Sequence, residues 1–208
     1  MKIKDLKRLH LNKKEEIRKR LEDFRLTGLD ENKIFDEMCF CTLTPQSKAR
    51  SCWDAIVELK GSGLLHSGDE RQIAEVLKKG IRFHNNKAKY IVKNRGLFFG
   101  DGLKNRIMNS NDNKEMRNWL IQNVKGYGHK EASHFLRNVG FRDLAILDRH
   151  ILKHLLEFEV INEIPNSITD KKYLEIEEKF FKFSEKLGIP MDELDLLFWS
   201  MEAGEIFK

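Results

Sequence analysis

The sequence predicts an all-α protein. Three observations carry that reading. Apolar residues recur at helical spacing in almost every segment. Alternating strand patterns are scarce, with Phe158–Ile164 the best candidate and a weak one. Gly80, Gly140 and the pair Gly188 and Pro190 close helical stretches. Taken in order, Ile17, Leu21 and Phe24 mark one stripe of a highly charged N-terminal helix, and Leu29 to Thr44 forms a second helical run. Ser67 stands three residues before Glu70, a capping-box pattern, and Ile73, Val76 and Leu77 follow before Gly80. Ala88, Ile91 and Val92 place a helix over Lys87–Arg95, and Met116, Trp119 and Leu120 form the apolar face of another. Ala132, Phe135, Leu136 and Val139 are spaced i, i+3, i+4, i+7, and Gly140 ends that helix. Ile151, Leu152, Leu155 and Leu156 give a further stripe. A long helix is expected over Lys171–Leu187, closed by Gly188 and Pro190, and a last one over Met191–Met201 with Leu194, Leu197 and Phe198 facing inward. The Asn-rich segment Asn105–Asn113 is read as a mobile loop separating the region before it from the region after it.

Composition narrows the function classes. The chain has 208 residues, with 38 basic and 33 acidic side chains and a net charge of +5. A mild basic excess suits a polyanionic partner but is no basic tail. No apolar run is long enough to span a bilayer, and the charged start MKIKDLKRLHLNKKEE lacks the apolar core of a signal peptide, so a cytoplasmic protein is expected. Cys39, Cys41 and Cys52 are odd in number and clustered early. That pattern fits neither a disulfide framework nor a four-ligand metal or iron–sulfur site, and reduced, partly buried thiols are expected.

The most informative segment is Trp119–Gly140, WLIQNVKGYGHKEASHFLRNVG. One helix ends near Val124, Gly126-Tyr127-Gly128 reverses the chain, and a second helix opens at His129 or Lys130. Two glycines allow positive φ and leave backbone N–H groups open at a helix N-terminus, where the dipole favours an anion. Lys125 adds attraction for a nucleic-acid backbone. Gly126, Tyr127, Gly128 and Lys125 therefore form a candidate phosphate clamp, set against a plain helix–turn–helix with a glycine cap.

Lys130 lies in the first turn of the second helix, across from Ala132 and in line with His134 and Arg137. A lone helical lysine is ordinarily solvated. Beside a phosphate clamp, it can reach the sugar of a captured nucleotide and act as a nucleophile once its amine is neutral. Asp148, in Leu147-Asp148-Arg149-His150-Ile151, precedes a helical stripe and reads as an N-cap. A carboxylate there can also stabilise a cationic sugar as a base departs, as carboxylates do in glycoside cleavage.

The glycine hairpin with Lys130, followed by Asp148 between apolar residues, resembles the helix-hairpin-helix, Gly/Pro-loop, aspartate superfamily of DNA glycosylases. GHKEASHFLRNVG, LAILDRHIL, the IPNSITDKKYLEIEE region, MCFCTLT at Met38–Thr44, the Phe83–Val92 stretch and the C-terminal DLLFWSMEAGEIFK are similar to the archaeal-type 8-oxoguanine DNA glycosylase/AP lyase family over essentially the whole chain. The resemblance implies one helix-hairpin-helix glycosylase unit over 1–208, built as two helical subdomains with the active site in the cleft between them. Within it, the hairpin element covers about 115–140, the aspartate-bearing loop and following helix about 141–158, and helices closing the lesion pocket about 170–208. It makes Lys130 the Schiff-base nucleophile and Asp148 the residue assisting base loss. Gln46 is the candidate wedge filling the gap left by an everted base. Trp199 offers a stacking face for a flipped purine, with Asp195 a polar candidate one turn earlier, Phe207 packing nearby, Phe83 the opposite wall, and Lys208, the last residue of the sequence, bringing a carboxylate to the base edge. No cofactor or catalytic metal is implied. A monovalent cation at the carbonyls of Val124 and Gly126 is compatible with the family. The partner implied is double-stranded DNA carrying 8-oxoguanine or an abasic site, bound by a monomer. One departure stands out: the loop Phe141–Leu147 has no proline. Two other readings remain, a noncatalytic helix-hairpin-helix DNA-binding protein and a related glycosylase acting on oxidised pyrimidines or mismatched adenine.

Overall fold

The computed structural model describes residues 2–100, 102–110 and 112–208. Among the described residues there are twelve helices and no strand. They are α1 (Ile3–Thr27), α2 (Glu31–Leu43), α3 (Ala49–Gly61), α4 (Leu64–Ser67), α5 (Glu70–Leu77), α6 (His84–Gly100), α7 (Leu103–Asn109), α8 (Asn113–Asn123), α9 (His129–Asn138), α10 (Arg149–Glu157), α11 (Asp170–Leu187) and α12 (Met191–Ala203). The chain forms two compact units. One joins the chain up to Leu26 with Leu136–Lys208, and the other is Thr27–Phe135. The chain passes from one to the other near the end of α1 and within α9.

The unit containing both termini is built on a continuous apolar core. Ile17, Leu21 and Phe24 of α1 join Ile151, Leu152 and Leu155 of α10, Ile176 and Phe180 of α11, and Leu194, Leu197 and Phe198 of α12. Phe198 stacks on Phe158 and Phe180 and on the His154 ring, which is 4.7 Å away. Leu156, expected in the buried stripe, is exposed. Gly140 has φ +97°, and a Cβ there would meet the Arg25 backbone at 3.0 Å, so glycine lets α9 end hard against α1.

The other unit centres on α2, whose residues from Ile34 to Leu43 are all buried. A helix covered on every face is a core helix rather than a surface one. Cys39, Cys41 and Cys52 form no disulfide and are fully buried rather than partly so, and burial pushes the Cys39 and Cys52 thiols up, Cys52 to about 11. α6 packs on α2 and α5. Its buried residues are Lys87, Ala88, Ile91, Asn94 and Phe98, an apolar stripe interrupted by two polar side chains.

Three local expectations are corrected. The capping box at the start of α5 is formed by Asp69 and Gln72, not Ser67 and Glu70. The Ser67 hydroxyl is spent on the Gly63 carbonyl at 3.0 Å. Phe158–Ile164 is not a strand. The Glu159 N–H bonds the Leu156 carbonyl and the Val160 N–H bonds the Leu155 carbonyl, with Glu159 at φ 58°, so its first residues are the C-cap of α10. Asn105–Asn109 belongs to α7 rather than to a mobile loop, because Leu103 and Ile107 share a buried face. The rest of that segment includes Asn111, which lies outside the described residues.

Candidate active site

The hairpin joins α8 to α9. Val124 ends α8, its N–H bonding the Leu120 carbonyl at 2.8 Å. The backbone of Lys125 is gripped twice by the buried Asn94 side chain. The Lys125 N–H donates to Asn94 Oδ1 at 2.9 Å, and Asn94 Nδ2 donates to the Lys125 carbonyl at 3.0 Å. Gly126 then takes φ +88°, and a Cβ there would lie 2.7 Å from the Tyr90 ring. Glycine is required twice over, by conformation and by space. The Gly126 N–H and the exposed Lys125 side chain donate to none of the described residues, so both are open to an anion.

The rest of the clamp is narrower than the sequence suggests. Tyr127 is buried, its N–H donates to the Val124 carbonyl at 3.3 Å, and its hydroxyl donates to the Met38 carbonyl at 2.9 Å. Burial holds the phenol well above its ordinary pKa. Tyr127 therefore anchors the hairpin to α2. The Gly128 N–H donates to the Glu131 carboxylate at 3.2 Å, half of a capping box around a glycine N-cap.

Lys130 follows in the first turn of α9. Its side chain is 26% exposed and its Nζ lies 3.3 Å from Glu131 Oε1. The helix face it shares with His134 and Arg137 is not solvated, since both of those residues are buried. Lys130 is thus the accessible tip of a buried polar face, which a surface lysine is not.

Asp148 caps α10. One oxygen, Oδ1, accepts from the His150 N–H at 2.8 Å and the Ile151 N–H at 2.9 Å. No described residue donates to Oδ2. The cap therefore fixes the carboxylate through one oxygen and leaves the other without a donor among the described residues. The proline-free loop before it is held by side chains of α11 and α12. The Ala145 N–H donates to Glu177 Oε1 at 2.8 Å, the Tyr173 hydroxyl donates to the Ala145 carbonyl at 2.6 Å, and the Asp143 N–H donates to Asp192 Oδ2 at 3.2 Å.

The remaining candidates divide. Trp199 alone of residues 191–200 keeps an exposed surface, and its ring centroid is 6.4 Å from that of the buried Phe207. Lys208 is folded in beside it in sequence and is buried. Asp195 is buried, and its carboxylate is in direct contact with the Arg137 guanidinium on α9, which also stacks over Phe24 at 5.2 Å. Burial pushes Asp195 upward against the pull of Arg137, and the Asp148 charge pushes the same way. It ties α12 to α9. In the other unit, Gln46 and Phe83 are exposed, and both hold positive φ, 55° and 57°. Neither is glycine, so each position stores backbone strain of a kind concentrated at functional sites. Among the described residues, no three His, Cys, Asp or Glu side chains cluster as metal ligands.

Comparison with known proteins places this geometry. The family model for the 8-oxoguanine DNA glycosylase helix-hairpin-helix domain matches residues 17–189. The chain belongs to the 8-oxoguanine DNA glycosylase family. It is 45% identical to the 8-oxoguanine DNA glycosylase/AP lyase of Fusobacterium nucleatum, over 98% of this chain and 96% of that protein. It is 37% identical to the Methanocaldococcus jannaschii 8-oxoguanine DNA glycosylase/AP lyase, over 100% and 98%. The crystal structure of the M. jannaschii protein in complex with a 15mer DNA containing 8-oxoguanine superposes with a TM-score of 0.91 at 36% identity, covering 99% of each chain.

For this 8-oxoguanine DNA glycosylase family member, sequence reasoning missed the residues that hold the site in place. Asn94, Tyr173, Glu177, Asp192 and Lys87 each bond the backbone or side chains of a loop carrying a candidate residue or leading into one. The signal was present in α6, where Lys87 and Asn94 interrupt an apolar stripe with polar side chains. Buried polar groups need partners, and the partners here are the turns.

Proposed function

We propose that this protein removes 8-oxoguanine from duplex DNA and then nicks the strand. The neutral Lys130 amine attacks C1′ of the damaged nucleotide. The glycosidic bond breaks, the base leaves with the bonding electron pair and takes up a proton, and the lysine nitrogen is left joined to C1′. Ring opening gives a Schiff base. Loss of a C2′ proton then expels the 3′ phosphate, and the electrons stay within the sugar, so no redox partner is needed. Asp148 faces the positive charge that builds on the sugar, using the oxygen its cap leaves free. The Gly126 N–H and Lys125 hold the phosphate backbone. Trp199, Phe207, Phe83 and Lys208 are read as the lesion pocket, and Gln46 as the wedge. The carbonyls of Val124 and Gly126 suit a monovalent cation, which would offset phosphate charge at the hairpin. Val124 spends one lone pair on Tyr127, and no described residue bonds the Gly126 carbonyl. One copy carries both Lys130 and Asp148, so the protein is taken to act as a monomer, on the DNA of the cytoplasm. No helix among the described residues is long and apolar enough to cross a membrane.

The observation that carries this reading is Lys130 itself, an accessible lysine at the open end of a phosphate-clamp helix, in a chain 37% identical to an 8-oxoguanine DNA glycosylase/AP lyase over 98% of that protein. Borohydride reduction tests it, on duplexes carrying 8-oxoguanine, thymine glycol or no lesion. Trapping on 8-oxoguanine that disappears in Lys130→Gln, with duplex affinity retained, is the expected result. Trapping on thymine glycol alone changes the substrate. Binding without trapping or base release on any duplex returns the protein to a noncatalytic hairpin.

A further inference from the structure

The turn between α2 and α3 carries Gln46 at its tip. The Ser47 N–H bonds the Thr44 carbonyl at 3.1 Å, Pro45 is the second residue and Gln46 the third, at φ 55°. Proline followed by positive φ is the type II pattern, which ordinarily places glycine or asparagine third. A long amide side chain stands there instead, exposed and on a strained backbone.

Beneath this turn is the ammonium of Lys87, in the first turn of α6 and only 4% exposed. Its Nζ is 2.7 Å from the Leu43 carbonyl, 2.7 Å from the Pro45 carbonyl and 3.0 Å from Ser47 Oγ. A lysine has three protons to donate, and all three acceptors lie on or next to the Gln46 turn. The Ser47 hydroxyl oxygen also accepts the Arg82 N–H at 3.1 Å. The next residue, Phe83, is the second exposed side chain at positive φ, and its carbonyl receives the Lys87 N–H at 3.0 Å. Two strained exposed residues from separate segments thus share one knot, Lys87 with Ser47. Burial depresses Lys87 to about 8, countered by Cys52 and reinforced by Lys130 and Arg82. A buried charge is expensive where an apolar residue would fill space, so the fold keeps this one for its hydrogen bonds.

We propose that Lys87 is a positioning residue for base eversion, pinning the turn between Thr44 and Ser47 so that Gln46 is held rigidly at the duplex to fill the space the damaged base vacates. The inference rests on the glycosylase reading above. Gln46 can both donate and accept a hydrogen bond, which suits it to the edge of an orphaned base. A floppy turn would lose that ability through the entropy of ordering it on DNA.

The prediction is a split between two activities of the full chain. Eversion is needed to excise 8-oxoguanine from a duplex, whereas a preformed abasic site has no base to extrude. In Lys87→Met, single-turnover excision falls at least tenfold further than cleavage of the abasic duplex, and 2-aminopurine beside the lesion no longer brightens on binding. Combined with Gln46→Ala, the double variant is no more than twofold slower in excision than the slower single variant. Ser47→Ala leaves Lys87 its two carbonyls, and it shows the same split at about threefold, which carries the test should Lys87→Met fail to fold. Equal losses of both activities refute the assignment in favour of a core lysine. A larger loss in abasic cleavage refutes it in favour of an effect on Lys130. A wild-type protein active only on another lesion removes the substrate reading and moves the same measurement to that lesion. Inactivity on every lesion removes both.

Discussion

Asp148 offers the sharpest test of whether one residue serves fold and chemistry together. Its Oδ1 satisfies two N–H groups at the start of α10, at 2.8 and 2.9 Å, and no described residue donates to Oδ2. Asparagine retains an oxygen for both N–H groups and caps helices as well as aspartate does, so Asp148→Asn loses only the charge–dipole part, about 0.3–1 kcal/mol. Asp148→Ala loses the cap as well, about 1–2 kcal/mol. For a chain of this length each kcal/mol moves Tm by about 2–4 °C. The Asn variant should therefore melt within about 4 °C of wild type, and the Ala variant several degrees lower. If Oδ2 stabilises the sugar cation, both variants lose base release by about 100-fold or more, equivalent to roughly 2.7 kcal/mol of barrier. The assay is single-turnover release of 8-oxoguanine at a temperature where both variants remain folded, beside thermal melts of each. Near-normal release by Asp148→Asn, with the Ala variant losing activity only as it loses stability, would refute a chemical role and leave a cap.

Three further outcomes are expected. Gly126→Ala places a Cβ at 2.7 Å from the Tyr90 ring at φ +88°, and should cost about 2–4 kcal/mol and weaken duplex binding. An unchanged urea midpoint would show that the turn yields easily. Asp192 is raised from 3.8 to about 6, mainly by burial and against the Asp143 N–H. The folded state holds that proton more tightly than the unfolded chain, so its contribution is full below pH 3.8 and lost as pH rises through 6. The displacement corresponds to roughly 3 kcal/mol, so the stability of wild type relative to Asp192→Asn should fall by up to that amount between pH 4 and 7. A pH-independent difference in urea titrations contradicts it. Removal of Lys208 should lower the preference for 8-oxoguanine over guanine, measured as the ratio of excision rates. An unaltered ratio rejects a base-reading role for that residue.

The helices were legible because burial leaves a period in the sequence. Ile17, Leu21 and Phe24, or Leu194, Leu197 and Phe198, repeat as a helix surface repeats, and the structure buries all six. The errors fall where short-range chemistry competes. Ser67 and Asp69 both offer a cap, and only the back-bond from Ser67 to Gly63 settles the choice. Glu159 takes a left-handed cap position that normally advertises itself with glycine, so a helix end passed for a strand.

By itself the sequence determined the helical class, the glycine hairpin, and the motifs around Lys130 and Asp148 that resemble those of a glycosylase family. Each of these is written in local order, through spacing, glycine placement and a short motif. Tertiary structure alone decided which groups remain free to act. It spends the Gly128 N–H on Glu131, buries Tyr127 against Met38, binds Asp195 to Arg137, and supports the Gln46 turn with Lys87 from forty-odd residues away. Hydrogen-bond partners distant in the chain leave no periodic trace, since one polar residue in an apolar stripe says that it needs a partner without saying which.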